Sequence, residues 1–421
     1  MTKKLRWYIA GLLMLATTIN YLDRQALSVA QPVLRETLGF SSFDYGNITS
    51  SFLLAYGLML PIAGRMIDWL GTRWGFALAV TWWSLANIGH AFAGSVRSFC
   101  VFRVLLGIGE AGNFPGSVKA ISEWFPPKER TVATGIFNLG AGTGAVIAPP
   151  LVGWIILRWG WQAAFVTTGS IGFVWVVLWL LLYHEPEKHP RLSSAELKHI
   201  QQEPIVEMEA SSARGAWRET LSRREVWPLM IARALADPVW IFYFLWLPDY
   251  LHRARGFELK DIALFAWVPF LAADLGSLLG GLLSAFFVKR GFSVLNARLL
   301  AMAICASLMP MAIWAGLTVH WQIALACISI AAFGHQSWAA SLITLPADLF
   351  PKRIVASAYG IPAMFGYFAG AVFNWNVGYW VDSIGYVPIF MAVAFMHLIA
   401  TAVLFWGIRP PAGSARLGAS S

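Results

Sequence analysis

The sequence predicts an all-α membrane protein with twelve transmembrane helices in two six-helix pseudo-repeats. Three observations support this fold class: an apolar composition, recurring apolar stretches, and a similarity between the two halves of the chain. The 421 residues are 58% hydrophobic, with a mean hydropathy of +0.61. These values are too apolar for an ordinary soluble domain.

The apolar stretches are each long enough to cross a hydrocarbon core of ~30 Å, which takes about 20 helical residues. They run over 7–30, 46–68, 74–94, 97–121, 132–157, 161–183, 226–250, 262–288, 296–317, 321–346, 354–380 and 384–408. The first stretch resembles a signal peptide, but cleavage after Ala30 would remove the charged residues Asp23 and Arg24. We therefore interpret it as the first membrane helix.

One long polar segment, 184–225, divides the chain. We predict an N-terminal bundle over 1–183, a cytoplasmic linker over 184–225 with a short helix at 194–198, a C-terminal bundle over 226–408 and a cytoplasmic tail over 409–421. The two bundles also match at a constant spacing of 225 residues. Glu123-Trp124-Phe125-Pro126 corresponds to Asp348-Leu349-Phe350-Pro351, and Val152-Gly153-Trp154 corresponds to Val377-Gly378-Tyr379. Several matches at one spacing indicate an internal duplication.

The formal charge of +9 does not indicate nucleic-acid binding, because the basic residues lie in alternating short loops. These residues are Lys3, Lys4, Arg6, Arg65, Arg73, Lys128, Arg130, Lys289, Arg290, Lys352, Arg353 and Arg409. Such a distribution is the positive-inside pattern, and it predicts that both termini are cytoplasmic. Arg253 and Arg255 are exceptions, since their loop is predicted to lie outside.

The sequence predicts no cofactor, metal site or disulfide. Cys100, Cys305 and Cys327 are odd in number and lie in or beside apolar stretches, as buried structural thiols do. The glycine-rich segment 140–144 lies inside an apolar stretch, without the strand or lysine of a nucleotide loop. Close helix packing is the better interpretation.

Four charged residues lie inside apolar stretches: Asp23 and Arg24 in the first, and Arg103 and Glu110 in the fourth. A charge at the bilayer centre costs at least ~2.5–3.5 kcal/mol, so it usually marks a substrate or ion path. Seven helical residues turn through about 700°, so Arg103 and Glu110 share a helix face. These residues indicate a charged cavity, as in a transporter, although static ion pairs between helices are the alternative. Pro115 is expected to kink the fourth helix.

The loop after the second stretch contains Gly64, Asp68, Gly71 and Arg73. This spacing resembles the G-x-x-x-D-x-x-G-x-R loop motif of the major facilitator superfamily, whose fold consists of two parallel six-helix repeats with the site near midplane. The resemblance implies a gating role for these four residues. The second copy, 281–285, lacks the acid, so a symmetric latch is not predicted.

Across nearly the whole chain outside the linker and tail, the sequence resembles the anion:cation symporter family, and most closely its bacterial hexuronate transporters. The resemblance lies in Asn20-Tyr21-Leu22-Asp23-Arg24, Gly107-Ile108-Gly109-Glu110-Ala111, Glu123 to Arg130, Phe137-Asn138-Leu139-Gly140, Arg233 to Pro238, Trp267 to Gly276 and Gly334-His335-Gln336. It implies that Asp23 and Glu110 carry protons, with Arg24 taking part in the coupling. Arg24 and Arg103 are the implied partners of these acids or of the substrate carboxylate.

The second half contains a further polar set that suits a sugar. Arg233 and Asp237 have the i,i+4 spacing of a pair on one helix face, and Trp240 follows one turn later. Asp274, His335 and Gln336 can hydrogen-bond sugar hydroxyls, while tryptophan can stack on a pyranose ring. Tyr21 and Asn138 complete the candidate binding residues. Asp274 paired with Arg233, and a purely structural His335, remain the alternatives.

These observations predict a proton-coupled importer of a sugar-acid anion, a hexuronate such as galacturonate or glucuronate, working by alternating access. Galactonate or another aldonate or aldarate is the alternative substrate. We expect a multi-pass protein of the bacterial inner membrane that works as a monomer in the lipid bilayer with protons as co-substrate. A membrane-embedded enzyme and a transporter-like sensor are the alternatives from other classes.

Overall fold

The computed structural model describes residues 4–201, 213–351 and 354–408. Every regular element within these ranges is helical, with seventeen α-helices and two short 3₁₀ turns. The all-α prediction is therefore confirmed. Lys3, Lys352, Arg353, Arg409, part of the linker (202–212) and the tail (409–421) lie outside the described residues.

The six predicted stretches of the first half form helices. Their bounds are α1 (Leu5–Leu38), α2 (Ser42–Leu70), α3 (Thr72–Gly89), α4 (Val96–Glu110), α5 (Asn113–Trp124), α6 (Pro127–Trp159) and α7 (Trp161–Leu182). The fourth stretch is the pair α4–α5, because Pro115 has no N–H to donate to the carbonyl of Ala111, four residues earlier. Between the two helices, the amide of Gly112 bonds to Gly109 O, three residues earlier, at 3.2 Å. This break places Glu110 at the end of α4.

The linker contributes α8 (Ser194–Ile200), where a short helix is predicted, and α9 (Ala213–Ser222). Glu196 of α8 binds the start of α1, accepting hydrogen bonds from the amide of Leu5 at 3.1 Å and from Arg6 Nη1 at 2.9 Å. Arg6 Nε also donates to Glu129 at 2.7 Å. The hydrogen bond from Arg6, and a weaker one from His199, lower the pKa of the Glu129 carboxyl below its usual value, although burial acts in the opposite direction.

The second half forms the remaining spans. Their bounds are α10 (Val226–Arg255), α11 (Leu259–Phe265), α12 (Val268–Lys289), α13 (Val294–Ala306), α14 (Met311–Leu317), α15 (Trp321–Leu349), α16 (Val355–Ser383) and α17 (Val387–Gly407). Among the described residues, 8 helical segments are long and apolar enough to cross a membrane. The other four predicted spans correspond to α1, α3, the pair α4–α5, and α16.

The chain forms two compact units. The first unit comprises Met1–Glu207, Ile241–Leu271 and Gly370–Tyr386, and the second comprises Met208–Trp240, Ala272–Ala369 and Val387–Ser421. In the first unit α6 packs closely on α1: a methyl group at Gly144 would come within 2.5 Å of Thr18 O. The glycine-rich segment thus serves helix packing. In the second unit an apolar core surrounds Trp338, Leu342 and Phe350.

Candidate functional site

The charged residues of α1 and α4 meet inside the first unit, but in a pairing that the sequence does not indicate. Arg24 Nε donates to Glu110 Oε2 at 2.5 Å, and the exposed fractions of the two side chains are 8% and 0%. The sequence grouped Arg24 with its neighbour Asp23, and Glu110 with Arg103. That grouping is wrong for Arg24, because consecutive helical residues point about 100° apart.

Asp23 instead faces α3 and α7. Its Oδ1 atom accepts a hydrogen bond from Asn87 Nδ2 at 2.7 Å, and the same amide nitrogen lies 2.7 Å from Thr168 Oγ1. All three side chains are fully buried. Asn87 and Thr168 were missed at the sequence level, although an amide side chain in the middle of an apolar span is a signal that could have identified Asn87.

Arg103 is the buried cation of this cluster that lacks an acid at ion-pair distance among the described residues. It is 2% exposed, and its Nε and Nη2 atoms have no hydrogen-bond partner there. The guanidinium carbon of Arg103 lies 6.0 Å from the centre of the Phe52 ring. The guanidinium carbon of Arg24 lies 5.1 Å from the same ring. The rings of Tyr21 and Tyr56, at 5.0 and 4.5 Å, complete an aromatic cage around Arg24.

Close packing of α4 on α2 brings Arg103 near the aromatic cage of Arg24. A methyl group at Gly107 would come within 2.8 Å of Phe52 O, so only glycine permits this approach. Gly107 lies one turn from Arg103 and three residues before Glu110, at the point where α4 passes the cage residue Phe52. The guanidinium of Arg103 can present its unbonded Nε and Nη2 atoms to an anion.

A second polar cluster lies in the second unit. Arg233 Nη1 and Asp237 Oδ2 of α10 are 3.2 Å apart, and the side chains retain exposed fractions of 15% and 20%. The Arg233 guanidinium carbon also lies 5.4 Å from the ring of Tyr359. Asp274 is half-buried and has no hydrogen bond or ion pair within the described part of the chain. The alternative that Asp274 is the partner of Arg233 is therefore not realised.

Trp240 and His335 stack nearly parallel in the same unit, with ring centroids 5.2 Å apart at 9°. His335 Nδ1 is also hydrogen-bonded to Nε2 of His397 in α17, at 2.9 Å. His397 was missed, although it is a second mid-span histidine. Gln336 is half-buried and Asn138 is exposed on α6; neither has a hydrogen bond within the described ranges.

The predicted gating loop joins α2, α3, α5 and α7 within the first unit. Asp68 Oδ1 lies 2.9 Å from Lys119 Nζ of α5, and Arg73 Nη2 donates to Leu180 O of α7 at 2.6 Å. Gly64 lies within α2 and Gly71 separates α2 from α3. The four predicted loop residues therefore make contacts of their own and none with the buried charged residues of α1 and α4 among the described residues.

A further polar network, here called the outer network, lies at the C-terminal end of α1. It consists of Arg35, Ser42, Asp249, Arg253, Asp382 and Tyr386. Arg35 Nη2 and Arg253 Nη1 both donate to Ser42 Oγ, at 2.6 and 2.5 Å. Arg253 Nη1 also donates to Asp382 Oδ1 at 3.0 Å. Asp249 lies 3.5 Å from Arg35 and accepts from Tyr386. Arg253, an exception to the positive-inside pattern, thus has a defined structural partner.

Comparisons with known proteins agree with this architecture. The family model described as the Major Facilitator Superfamily matches residues 13–374. The hexuronate transporter of Escherichia coli strain K12 is 36% identical over 405 residues, which cover 96% of this chain and 94% of that protein. The galacturonate transporter of Dickeya chrysanthemi is 39% identical over 333 residues, covering 78% of this chain and 96% of that one.

Among solved structures, a bacterial homologue of the human lysosomal transporter Spinster, in an inward-facing and unoccupied conformation, superposes with a TM-score of 0.75. It covers 97% of this chain and 96% of its own, at 21% identity, so the likeness concerns the fold. The relatives at 36–39% identity are transporters, which removes the enzyme alternative. The resemblance to hexuronate transporters is confirmed, and with a family model matched over most of its length the chain belongs to the major facilitator superfamily of membrane transporters.

Proposed function

We propose that the protein imports a hexuronate, galacturonate or glucuronate, together with protons across the bacterial cytoplasmic membrane. One observation carries this proposal: a buried Arg24–Glu110 ion pair adjoins a second buried arginine, Arg103, that has unbonded N–H groups. Such a site combines a titratable acid with two cations that can bind a carboxylate. The named substrates of the two bacterial relatives, hexuronates and galacturonate, support a sugar acid as the anion.

Proton coupling follows from competition for Arg24. While Glu110 is ionised, it occupies the Nε atom of Arg24 at 2.5 Å. Protonation of Glu110 removes that charge and leaves Arg24, with Arg103, available to the carboxylate of the substrate. Loss of the proton on the inside restores the internal pair and expels the anion. Asp23, which is held by Asn87 and not by a cation, is the second proposed proton carrier.

We assign recognition of the sugar ring to the polar set of the second unit. Arg233, Asp237 and Asp274 are partly exposed at mid-span positions, where charged groups are retained for contact with water or ligand. Their charges can bind ring hydroxyls, and Trp240 presents an aromatic face of the kind that packs on pyranoses. His335 and Gln336 add neutral hydrogen-bonding groups, while Tyr21 and Asn138 are the proposed contacts from α1 and α6.

Alternating access also requires a structure that closes one end of the path. The outer network joins α1 and α2 to α10 and α16 within the first unit, and we infer that it closes the external end. The distribution of basic residues among the loops supports an external position for this end and a cytoplasmic position for both termini. The helix bundles over 1–183 and 226–408, joined by the linker, are the proposed moving bodies of a monomeric carrier.

Uptake into proteoliposomes tests the proposal. Purified protein should accumulate labelled galacturonate when the outside is made acidic, and a protonophore should abolish that accumulation. Galacturonate and glucuronate in excess should compete, whereas galactonate and glucarate should compete poorly. If two protons accompany each monoanion, net positive charge enters, and an inside-negative potential adds about 2.3 kcal/mol per charge per 100 mV.

Two results would contradict this assignment in different ways. Stronger competition by galactonate than by both uronates would make an aldonate the substrate while leaving the transport mechanism intact. Binding of galacturonate without any gradient-driven accumulation would instead favour a transporter-like sensor. Protein-free liposomes provide the baseline for both measurements.

A further inference from the structure

Two histidines of the second unit form a buried pair that the proposed transport mechanism does not use. His335 of α15 and His397 of α17 are 4% and 0% exposed, and their Nδ1 and Nε2 atoms lie 2.9 Å apart. The two rings are nearly perpendicular, at 77° with centroids 4.9 Å apart. A single proton lies in this hydrogen bond, so one ring donates and the other accepts.

The His397 ring packs on its other side against Trp338, and a short hydrogen-bonded chain joins Trp338 to the helix backbone without contacting the imidazole. Trp338 contacts it edge-on, with centroids 4.9 Å apart. The indole N–H of Trp338 donates to Thr401 Oγ1 at 2.8 Å, and the Thr401 hydroxyl donates to the backbone oxygen of His397 at 2.6 Å. His397 is therefore a fixed group, whereas His335 lies between it and the half-buried Trp240.

The direction of the hydrogen bond follows from what each choice leaves buried. His397 Nδ1 is buried without a partner among the described residues. If His397 Nε2 accepted, Nδ1 would carry an unpaired buried proton, and an orphaned N–H is the rarer kind of unsatisfied group. If His397 Nε2 donates, His335 Nδ1 accepts and the proton of His335 lies on Nε2. The Nε2 atom has no protein partner within the described ranges.

We propose that His397 is a positioning residue that holds His335 as its Nε2–H tautomer, flat against Trp240, so that this N–H donates to a hydroxyl or ring oxygen of the sugar acid. The inference rests on the proposed function, since it assumes that the sugar meets Trp240 and His335. It also explains why His335 is paired with His397. Without that partner, the imidazole of His335 could donate through either nitrogen and could rotate away from the indole of Trp240. Pairing with His397 removes that freedom before the substrate arrives.

Three variants of the full-length protein in proteoliposomes test this role. His397→Phe keeps the ring that packs against Trp338 but removes the donor, and KM for galacturonate should rise roughly three- to tenfold, with little change in the maximal rate. His397→Gln places an amide N–H near the position of Nε2 and should restore KM to within about twofold. Thr401→Val is the matched control, since it breaks the Trp338 and backbone bonds while leaving both histidines. It should lower the unfolding temperature without raising KM.

Nitrogen-15 spectra of histidine-labelled protein give a readout that is independent of transport. His335, identified from its loss in His335→Gln, should show a protonated Nε2 and an unprotonated Nδ1, and His397→Phe should convert this pattern to a mixture of tautomers. These spectra decide the tautomer even if the unmodified protein takes up no uronate, a result that would refute only the proposed function.

The positioning role is overturned by any of three results. KM and the His335 tautomer could be unchanged in His397→Phe. KM could rise equally in Thr401→Val, which would make the effect one of general stability. The pH profile of uptake could shift and the proton-to-substrate ratio fall in His397→Phe, which would make the pair a proton relay.

Discussion

Replacing Glu110 by glutamine separates coupling from binding. The variant retains a side-chain oxygen that can accept from Arg24 Nε, so the 2.5 Å contact can persist as a neutral acceptor bond. The aromatic rings 4.5 to 5.1 Å from the guanidinium also remain. We therefore expect a cost of about 3 kcal/mol in unfolding free energy, the low end for a broken buried ion pair, and a protein that still folds.

The effect on transport is larger, because an amide cannot carry a proton. With the membrane potential clamped at zero, each coupled proton contributes about 1.36 kcal/mol per pH unit, a tenfold factor in the limiting accumulation ratio. Coupling to both Asp23 and Glu110 would therefore give roughly a hundredfold ratio for a gradient of one unit. We expect Glu110→Gln to bring this ratio to about one, because without the competition for Arg24 the anion can cross whether or not Asp23 is protonated. Counterflow exchange of labelled for unlabelled galacturonate should continue.

The assay is the steady-state ratio of internal to external label in proteoliposomes of known internal volume. Glu36→Gln is the matched control, because Glu36 is also a glutamate of a membrane helix, α1, but has a side chain that is 68% exposed. Unimpaired accumulation by Glu110→Gln would remove this residue from the coupling scheme. If the variant lost both counterflow exchange and accumulation, the result would show that Glu110 is needed for substrate binding instead.

Three further predictions concern the anion, the sugar and the external end. Arg103→Ala should weaken galacturonate binding severely, measured by calorimetry, with only partial recovery in Arg103→Lys, which lacks the planar fork; undiminished affinity in the alanine variant would exclude a carboxylate clamp. Asp274→Ala should weaken competition by uronates more than by galactonate, by several-fold to roughly a hundredfold, and an equal loss for both classes would remove Asp274 from sugar recognition. Arg253→Gln should break the contacts to Ser42 and Asp382. Combined with Ser28→Cys, it should increase labelling of the new cysteine by an impermeant thiol reagent. Labelling equal to that of Ser28→Cys alone would show that the outer network has no part in gating.

Much of this architecture follows from periodicity and composition alone. An apolar stretch of about 20 residues has one stable form in lipid, a helix whose backbone groups are bonded internally. The spans, a kink at Pro115 and the presence of charged groups inside the spans at Asp23, Arg24, Arg103 and Glu110 could therefore be predicted without coordinates. The costs of buried charge and of a missing N–H are local properties, and a sequence expresses local properties directly.

The partners of those groups could not be predicted from the sequence, because they depend on how separate helices pack and rotate against one another. Asp23 and Arg24 are adjacent in sequence, yet Arg24 bonds to Glu110, 86 residues away, and Asp23 bonds to Asn87. His335 meets His397, 62 residues away, and Arg253 meets Asp382, 129 residues away. Helical periodicity states which residues share a face but not which face of another helix lies opposite. The sequence by itself determined that buried acids, arginines and histidines exist in these spans; only the tertiary structure decided their partners, because hydrogen bonds at 2.5 to 3.0 Å require interhelical registers that no single helix encodes.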